Sequence, residues 1–217
     1  AVAGNVEATK MSVNTKVEFS IVNFTSLSGG TNQVPHGLSD VPDLFIFKRI
    51  DSAESWWSYT QVTDGSLDYY TLNTTDATSH SSETAPTSTT VYQPTSGSGR
   101  NYILYCFKSK AGMSLIGSYT GTGSATSSPK IYTGFEPAWL MTKPVSTTGW
   151  WYIFDNKRNT SNPRDTILGA NSADAEYPNP ASTGYITNFY SDGFQFINTN
   201  ICCNTAGVDY IFMCFAS

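Results

Sequence analysis

The stretch Gly99-Arg-Asn-Tyr-Ile-Leu-Tyr-Cys-Phe107 returns 108 residues later as Gly207-Val-Asp-Tyr-Ile-Phe-Met-Cys-Phe215, with its glycine, tyrosine, cysteine and phenylalanine in place. Four further pairs of segments match in the same order: Phe24-Thr25 with Tyr119-Thr120, Val41–Lys48 with Glu136–Lys143, Trp56-Trp57 with Trp150-Trp151, and Leu72–Ala77 with Ala170–Ala175. Their offsets are 95, 95, 94 and 98 residues, so the spacing drifts only by small insertions. Collinear matches of this kind indicate an internal duplication.

Each copy consists of short apolar segments separated by turns rich in Gly, Ser and Thr, with first strands expected at Val17–Phe24 and Ser114–Tyr119. This pattern is typical of antiparallel sandwiches and jelly rolls. We therefore predict an all-β chain of two tandem antiparallel β-sandwich (jelly-roll-like) modules, 17–108 and 109–217. A single sandwich with interleaved repeats is the alternative. The closing segment of each copy is apolar throughout, which indicates a central strand covered on both faces.

The composition excludes several classes of partner. Charged residues make up 13% of the chain, the net charge is −5, and no run of Lys or Arg exceeds two residues. Nucleic acid is therefore not expected as a partner, because nothing would follow its phosphates. The apolar runs are far shorter than the ~20 residues that cross a bilayer, so membrane insertion is not expected. The chain does not begin with Met, and we expect it to be a processed product or a fragment of a longer chain.

Four cysteines lie at Cys106, Cys202, Cys203 and Cys214, a spacing that matches neither a zinc site nor a disulfide-dense scaffold. Two of them, Cys106 and Cys214, lie inside apolar strand segments, where a free cysteine acts as a small buried hydrophobe. A bridge from Cys202 or Cys203 to Cys214 is the alternative.

Candidates for catalysis are few. The histidines His36 and His80 lie in turn-rich segments that the repeat does not copy, and we expect both to be solvated, which disfavours Ser-His and Cys-His mechanisms. The close carboxylate pairs are expected to cap backbone amides in turns and not to serve as the acid and base of a glycosidase. These pairs are Asp40 with Asp43, Asp64 with Asp68, and Asp174 with Glu176. The chain is therefore predicted not to be an enzyme, with no catalytic residue and no cofactor.

A calcium site was the softer possibility, since the segment Asp155–Asp165 offers carboxylate and amide oxygens from a loop. However, Lys157, Arg158 and Arg164 would repel the ion from this segment. No metal site is therefore predicted.

The tryptophan pairs are the best candidates for a binding surface: Trp56, Trp57, Trp150 and Trp151. Neighbours in a strand point to opposite faces, so one indole of each pair is expected to face the core. The other is a natural platform for stacking on sugars and equally a natural subunit contact. The alternative is that both indoles are packed inside the protein.

The matched elements resemble a domain found, often duplicated, in virion proteins of tailed phages, especially phages of marine bacteria and of the cyanophage type. The residues that carry the resemblance are Pro42–Lys48, Trp56-Trp57, Leu72–Ala77, Ala85–Thr89 and Gly99–Phe107 in the first copy, and Gly117–Gly121, Gly134–Pro137, Trp151–Asp155, Ser191–Phe194 and Gly207–Phe215 in the second. The resemblance implies a virion component assembled in the host cytoplasm: a tail or head fibre, a spike or a capsid-decorating protein. Because these motifs are structural, it supplies no active-site residue.

Three functions compete on this basis. The first is a structural or host-attachment protein of a virion, whose partners are other virion proteins, further copies of itself and a host surface glycan. The second is a carbohydrate-binding module or adhesin of a bacterial surface protein. A hydrolase of glycans is the third and least favoured.

Residues 1–16 are polar and match nothing in the repeat, so we predict an extended amino-terminal arm. Such a segment does not easily offset the entropy of its own ordering. We expect another chain to hold it by strand addition at a sheet edge. By the resemblance to phage fibres and decoration proteins, the expected assembly is a homotrimer.

Overall fold

The computed structural model describes residues 4–28, 31–93, 97–178 and 186–217. Within these ranges the chain forms β-strands and no α-helix, so the all-β prediction is confirmed. The strands are β1 Ala8–Asn14, β2 Phe19–Thr25, β3 Asn32–Pro35, β4 Leu44–Arg49, β5 Trp57–Thr60, β6 Asp68–Thr71, β7 Ser79–His80, β8 Thr90–Gln93, β9 Asn101–Phe107, β10 Ser114–Thr120, β11 Lys130–Tyr132, β12 Pro137–Pro144, β13 Tyr152–Asp155, β14 Thr166–Gly169, β15 Tyr177–Pro178, β16 Thr187–Tyr190, β17 Gly193–Phe196 and β18 Asp209–Ala216. A helix long and apolar enough for a membrane span is absent from this described part of the chain.

The strands belong to two compact units. The first comprises Ala1–Thr71 and Ser79–Ser109, and the second comprises Leu72–Thr78 and Lys110–Ser217. The first unit has a seven-stranded sheet in the order β1-β2-β9-β4-β5-β6-β7 and a two-stranded sheet β3-β8. The second has a six-stranded sheet in the order β10-β18-β12-β13-β14-β15 and a three-stranded sheet β11-β17-β16. Each unit thus has the two antiparallel sheets of a sandwich.

The two large sheets share one strand order once β1 is set aside. In each, the closing strand lies between the first strand and the strand that begins at or just after the repeated proline, Pro42 or Pro137. The registers correspond as well, since Phe19 lies opposite Phe107 in the first unit and Ser114 lies opposite Phe215 in the second. Phe19 and Ser114 are 95 residues apart and Phe107 and Phe215 are 108 apart, which are the offsets read from the sequence.

The amino-terminal arm pairs with its own chain, which corrects the expectation that another chain holds it. Strand β1 lies antiparallel to β2, with Met11 opposite Val22. Just before β1, the backbone amides of Asn5 and Val6 donate to the carbonyl of Gln33, and the Val6 side chain is buried. These bonds and this burial offset the ordering cost of the arm within the first unit.

The segment Leu72–Thr78 belongs to the second unit, whereas the sequence analysis had included it in the first module. Its placement follows from backbone pairing: the amide of Thr78 donates to the carbonyl of Val145 at 2.8 Å, and the amide of Gly149 donates to that of Thr75 at 2.9 Å. The sequence pattern does not reveal that this segment belongs to the second unit, because the segment is a turn without apolar periodicity.

The cores of the two units use matching positions. In the first, Phe45, Leu104 and Cys106 are buried in one cluster. The residues at the corresponding positions of the second core are Leu140, Phe212 and Cys214. The duplication therefore keeps the positions that face the core while it changes the size of the side chains there.

All four cysteines are buried and free, so the bridge considered from the sequence is not formed. Burial raises the pKa of the Cys106 and Cys203 thiols well above the usual range and raises that of Cys214 to about 12. Thiolates react with disulfide reagents and thiols do not, so both burial and protonation protect these residues.

Ellman's reagent is expected to leave the native protein unlabelled at pH 8 and to titrate all four thiols per chain once guanidinium has unfolded it. Absorbance of the released thionitrobenzoate measures both states. Labelling of the native chain within minutes would contradict the buried placement, and fewer than four thiols after unfolding under non-reducing conditions would reveal a disulfide.

Candidate functional site

The first unit contains an open cavity of about 400 Å³ on the core-facing side of its large sheet. Its wall consists of aromatic side chains from four neighbouring strands, and its rim carries carboxylates and hydroxyls. The lining residues are Phe47, Glu54, Trp57, Tyr59, Tyr69, His80, Ser81, Ser82, Glu83, Gln93 and Tyr102. We call this cavity the aromatic pocket.

The wall of the aromatic pocket follows from strand geometry. Trp57 and Tyr59 are two residues apart in β5, so they point to the same face of the sheet. On the next strand Tyr69 lies directly opposite Tyr59. The ring centroids of Trp57 and Tyr69 are 5.6 Å apart and those of Tyr59 and Tyr69 are 6.0 Å apart. Trp57 and Tyr69 stay partly exposed, so their rings are accessible to a ligand.

Two glutamates add negative charge to the pocket. Glu54 Oε2 is buried and has no hydrogen-bond partner among the described residues. Glu83 lies on the segment after β7. Its backbone amide donates a hydrogen bond to Ser81 Oγ at 3.1 Å, which fixes the local turn. Burial raises the pKa of Tyr59 well above its usual value, and the charges of Glu83 and Glu54 raise it further. Both carboxylates therefore act on the wall of the same cavity.

At the rim of the pocket, His80 meets two aspartates that the sequence analysis had treated as turn formers. Asp68 is not in a turn: it lies in β6 opposite His80, is 1% exposed, and its Oδ1 is 2.7 Å from His80 Nδ1. Burial and the charge of Asp64 raise the pKa of Asp68, while hydrogen bonds from Ser66 lower that of Asp64. The ligand atoms of the three residues lie within 4.8 Å of one another, a donor set that suits a divalent transition metal. In the structure, the contact between Asp68 Oδ1 and His80 Nδ1 and the hydrogen bonds of the Ser66 hydroxyl hold them together.

The other histidine corrects the sequence analysis. His36 was expected to be solvated, yet it is fully buried. Its ring nitrogens are satisfied by backbone groups, since Nε2 is 3.2 Å from the carbonyl of Thr87 and Nδ1 accepts from the amide of Leu38. Burial lowers the pKa of His36, which favours the neutral ring. It is a structural residue of the first core.

The loop considered for calcium is held by its own cations. Burial would raise the pKa of Asp155, but hydrogen bonds from the amide and side chain of Arg158 and the amide of Lys157 lower it overall. The guanidinium Nε of Arg158 lies 2.5 Å from Asp155 Oδ2. The carboxylate that was the best candidate ligand thus serves a turn and an ion pair.

Strand pairing corrects the alignment of the tryptophan pairs. Phe47 lies opposite Trp57 in the first unit, and Thr142 lies opposite Tyr152 in the second. The counterpart of Trp57 is therefore Tyr152, and the offset is 95 residues, not the 94 that matched the letters.

The four tryptophans consequently have different environments. Lys48 Nζ lies over the Trp56 ring at 6.0 Å, and its counterpart Lys143 Nζ lies over Trp151 at 5.7 Å. Trp151 is buried, and Trp150 is 36% exposed on the second unit. Of the predicted candidates, Trp57 alone lines the aromatic pocket.

Most of the pocket was missed from the sequence. Phe47, Tyr59, Tyr69 and the two glutamates come from separate segments, and no local motif joins them. The available signal was the spacing Trp57-x-Tyr59, because period-two alternation places these two side chains on one face of the sheet. A tyrosine pair follows in the next strand, where one ring can meet them across the strands.

No curated protein and no solved structure matches the chain significantly. A model of one protein family matches residues 1–217, the whole of the sequence. The chain therefore belongs to the family DUF7483, described as a domain of unknown function.

Proposed function

We propose that the chain is a non-enzymatic surface protein of a phage virion that attaches to saccharide on the host surface through the aromatic pocket. The fibre, spike and capsid-decorating roles all fall within this proposal. The aromatic pocket is the observation that carries it. A homotrimer is part of the same proposal, by the resemblance to phage fibres and decoration proteins.

The chemistry of the pocket suits a sugar. The accessible faces of Trp57 and Tyr69 offer flat apolar surface for the C–H face of a pyranose ring. Around them, Glu54, Glu83 and Gln93 provide acceptors for hydroxyl groups. A cavity of about 400 Å³ lies within the usual size range of small-ligand sites.

The virion assignment is supported by the series of motifs that resembles tailed-phage virion domains. A carbohydrate-binding module or adhesin of a bacterial surface protein would use the same pocket, so the location of the chain separates the two. Gold-labelled antibody against the chain is expected to decorate intact phage particles at symmetric positions. Labelling of the bacterial envelope in uninfected cells would contradict the virion role.

The substitution Trp57→Ala is expected to weaken binding to a bacterial surface polysaccharide at least about tenfold, since losing one stacking ring costs roughly 1.4 kcal/mol or more. Titration of the best ligand from an array of such polysaccharides measures the effect. The matched control is Trp150→Ala, which removes an exposed indole from the second unit and should leave affinity unchanged.

Two results would contradict the proposal. Equal binding by the Trp57→Ala variant and the native chain would remove the pocket from the mechanism. New reducing ends in the native mixture, absent after a single Asp or Glu substitution, would show that the chain is a hydrolase.

A further inference from the structure

The aromatic pocket carries negative charge that its own walls do not neutralise. Glu54 and Glu83 both line it, and neither forms a salt bridge to a described residue. No lysine or arginine is among the described lining residues, and His80 is the sole lining side chain able to become a cation. The nearby guanidinium of Arg49 is already engaged with Asp51 at 2.5 Å.

Elsewhere in the protein, three aromatic sites have a lysine of the same chain over the rings. Lys48 lies over Trp56, and Lys143 lies over Trp151. In the smaller sheet of the second unit, Lys130 Nζ is 4.8 Å from the centre of the Tyr132 ring and 4.9 Å from that of Tyr190. Compared with these clusters, the aromatic pocket has rings and carboxylates around open volume and no ammonium group.

An ammonium ion from a ligand would complete this arrangement. The electron-rich faces of Trp57, Tyr59 and Tyr69 attract a cation within about 6 Å of the ring centre. Glu54 and Glu83 line the same cavity as these rings, so their carboxylates would supply the counter-charge for the ammonium ion.

We propose that the aromatic pocket binds the protonated amino group of an amino sugar, with Glu54 and Glu83 as its counter-charges and the Trp57–Tyr69 wall as its platform. This inference rests on the proposed attachment function and names the class of saccharide that the pocket prefers. A neutral sugar of the same size would satisfy the rings and donate hydroxyl groups to the carboxylates, but it would leave their negative charge uncompensated.

The test is isothermal titration of the native chain at pH 6 with four probes: a glucosamine trimer, its fully N-acetylated form, a glucose trimer and choline chloride. The glucosamine trimer is expected to bind at least about tenfold more tightly than either neutral trimer. Glu54→Gln and Glu83→Gln keep the shape of the pocket and should each weaken glucosamine binding by about tenfold, while the neutral sugars should lose much less affinity because the carboxamide keeps an acceptor for hydroxyl groups. Glu176→Gln, a carboxamide exchange in the second unit, is the matched control, and far-UV circular dichroism checks the fold of each variant.

The alternative outcomes separate the two proposals. Equal binding of all three trimers, lost in Trp57→Ala, would overturn the preference for an amino group and leave the attachment function standing. Binding of choline without any trimer would overturn the saccharide assignment while retaining an ammonium site. An absence of binding by all four probes at millimolar concentration would overturn the ammonium inference, and attachment would then be decided by the polysaccharide array.

Discussion

Lys143 is expected to contribute a rise of about 2 kcal/mol to the free energy of unfolding between pH 7 and pH 9.5, and the substitution Lys143→Met should remove this contribution. Lys143 is completely buried, and burial lowers its pKa from 10.5 to about 8, with the charge of Asp76 opposing the shift. The ammonium is held by the carbonyl of Gly149, which accepts from Nζ at 2.6 Å, and by the face of Trp151. These two partners do not fully replace the hydration that the ammonium group has in the unfolded chain, so its pKa stays lowered.

The sign follows from proton linkage. Between pH 8 and pH 10.5 the unfolded chain keeps the proton on Lys143 and the folded chain releases it, so stability increases with pH. The whole shift corresponds to about 3.4 kcal/mol at 1.36 kcal/mol per pH unit, and roughly 2 kcal/mol of it falls between pH 7 and pH 9.5. Above about pH 10 the tyrosines of the unfolded chain ionise as well, so the measurement stops below that value.

Urea denaturation at half-unit pH intervals measures the pH dependence of stability in the native chain and in Lys143→Met, and the difference between them gives the contribution of Lys143. The buried cysteines lower the stability of both proteins over this range, because unfolded thiols ionise and the folded thiols do not. The matched control is Lys48→Met, the equivalent change in the first unit, which should keep the pH dependence of the native chain. Equal pH dependences in the native chain and in Lys143→Met would assign the effect to another group.

The sequence predicted that both units share one fold, because apolar segments and turns recur in the same order. The register of the paired strands was harder to predict from the sequence. Identical letters favoured aligning Trp56-Trp57 with Trp150-Trp151, whereas backbone pairing places Trp56 with Trp151. A shift of one residue turns each side chain to the opposite face of a sheet, so this difference decides which indole lines a pocket.

The aromatic pocket could not be predicted because it depends on tertiary proximity. Trp57 was a candidate from its residue type, but Glu83 joins it only once the segment after β7 returns beside the sheet. The placement of His36 had the same cause. A polar ring in a turn suggests solvation, and its burial becomes favourable because the carbonyl of Thr87 and the amide of Leu38 both reach it.

The two copies also differ in the sizes of two side chains that face each other across neighbouring strands. In the first unit Val22 lies opposite Leu104, and in the second Gly117 lies opposite Phe212. A Cβ added to Gly117 would lie 3.0 Å from the Cε1 and Cζ atoms of the Phe212 ring. The backbone of Gly117 is not in the left-handed region, so the ring, and not φ, excludes a side chain there.

The substitution Gly117→Val is therefore expected to lower the free energy of unfolding by about 3 kcal/mol, the upper end for overpacking a core. Phe212→Leu alone should cost about 1–3 kcal/mol through the cavity that it leaves. The double variant recreates the valine–leucine pair of the first unit. It should come within about 1 kcal/mol of the native chain, because valine fills the space and favours the strand.

Urea denaturation of the four proteins gives a double-mutant cycle, and the coupling energy should reach at least about 2 kcal/mol with a favourable sign. The reciprocal exchange in the first unit, Val22→Gly with Leu104→Phe, provides the matched control and should show coupling of the same sign. Additive costs in the second unit would mean that the ring of Phe212 moves aside for a valine. In that case the two copies would be alike in backbone only, and the difference in side-chain size at this position would have arisen without compensation.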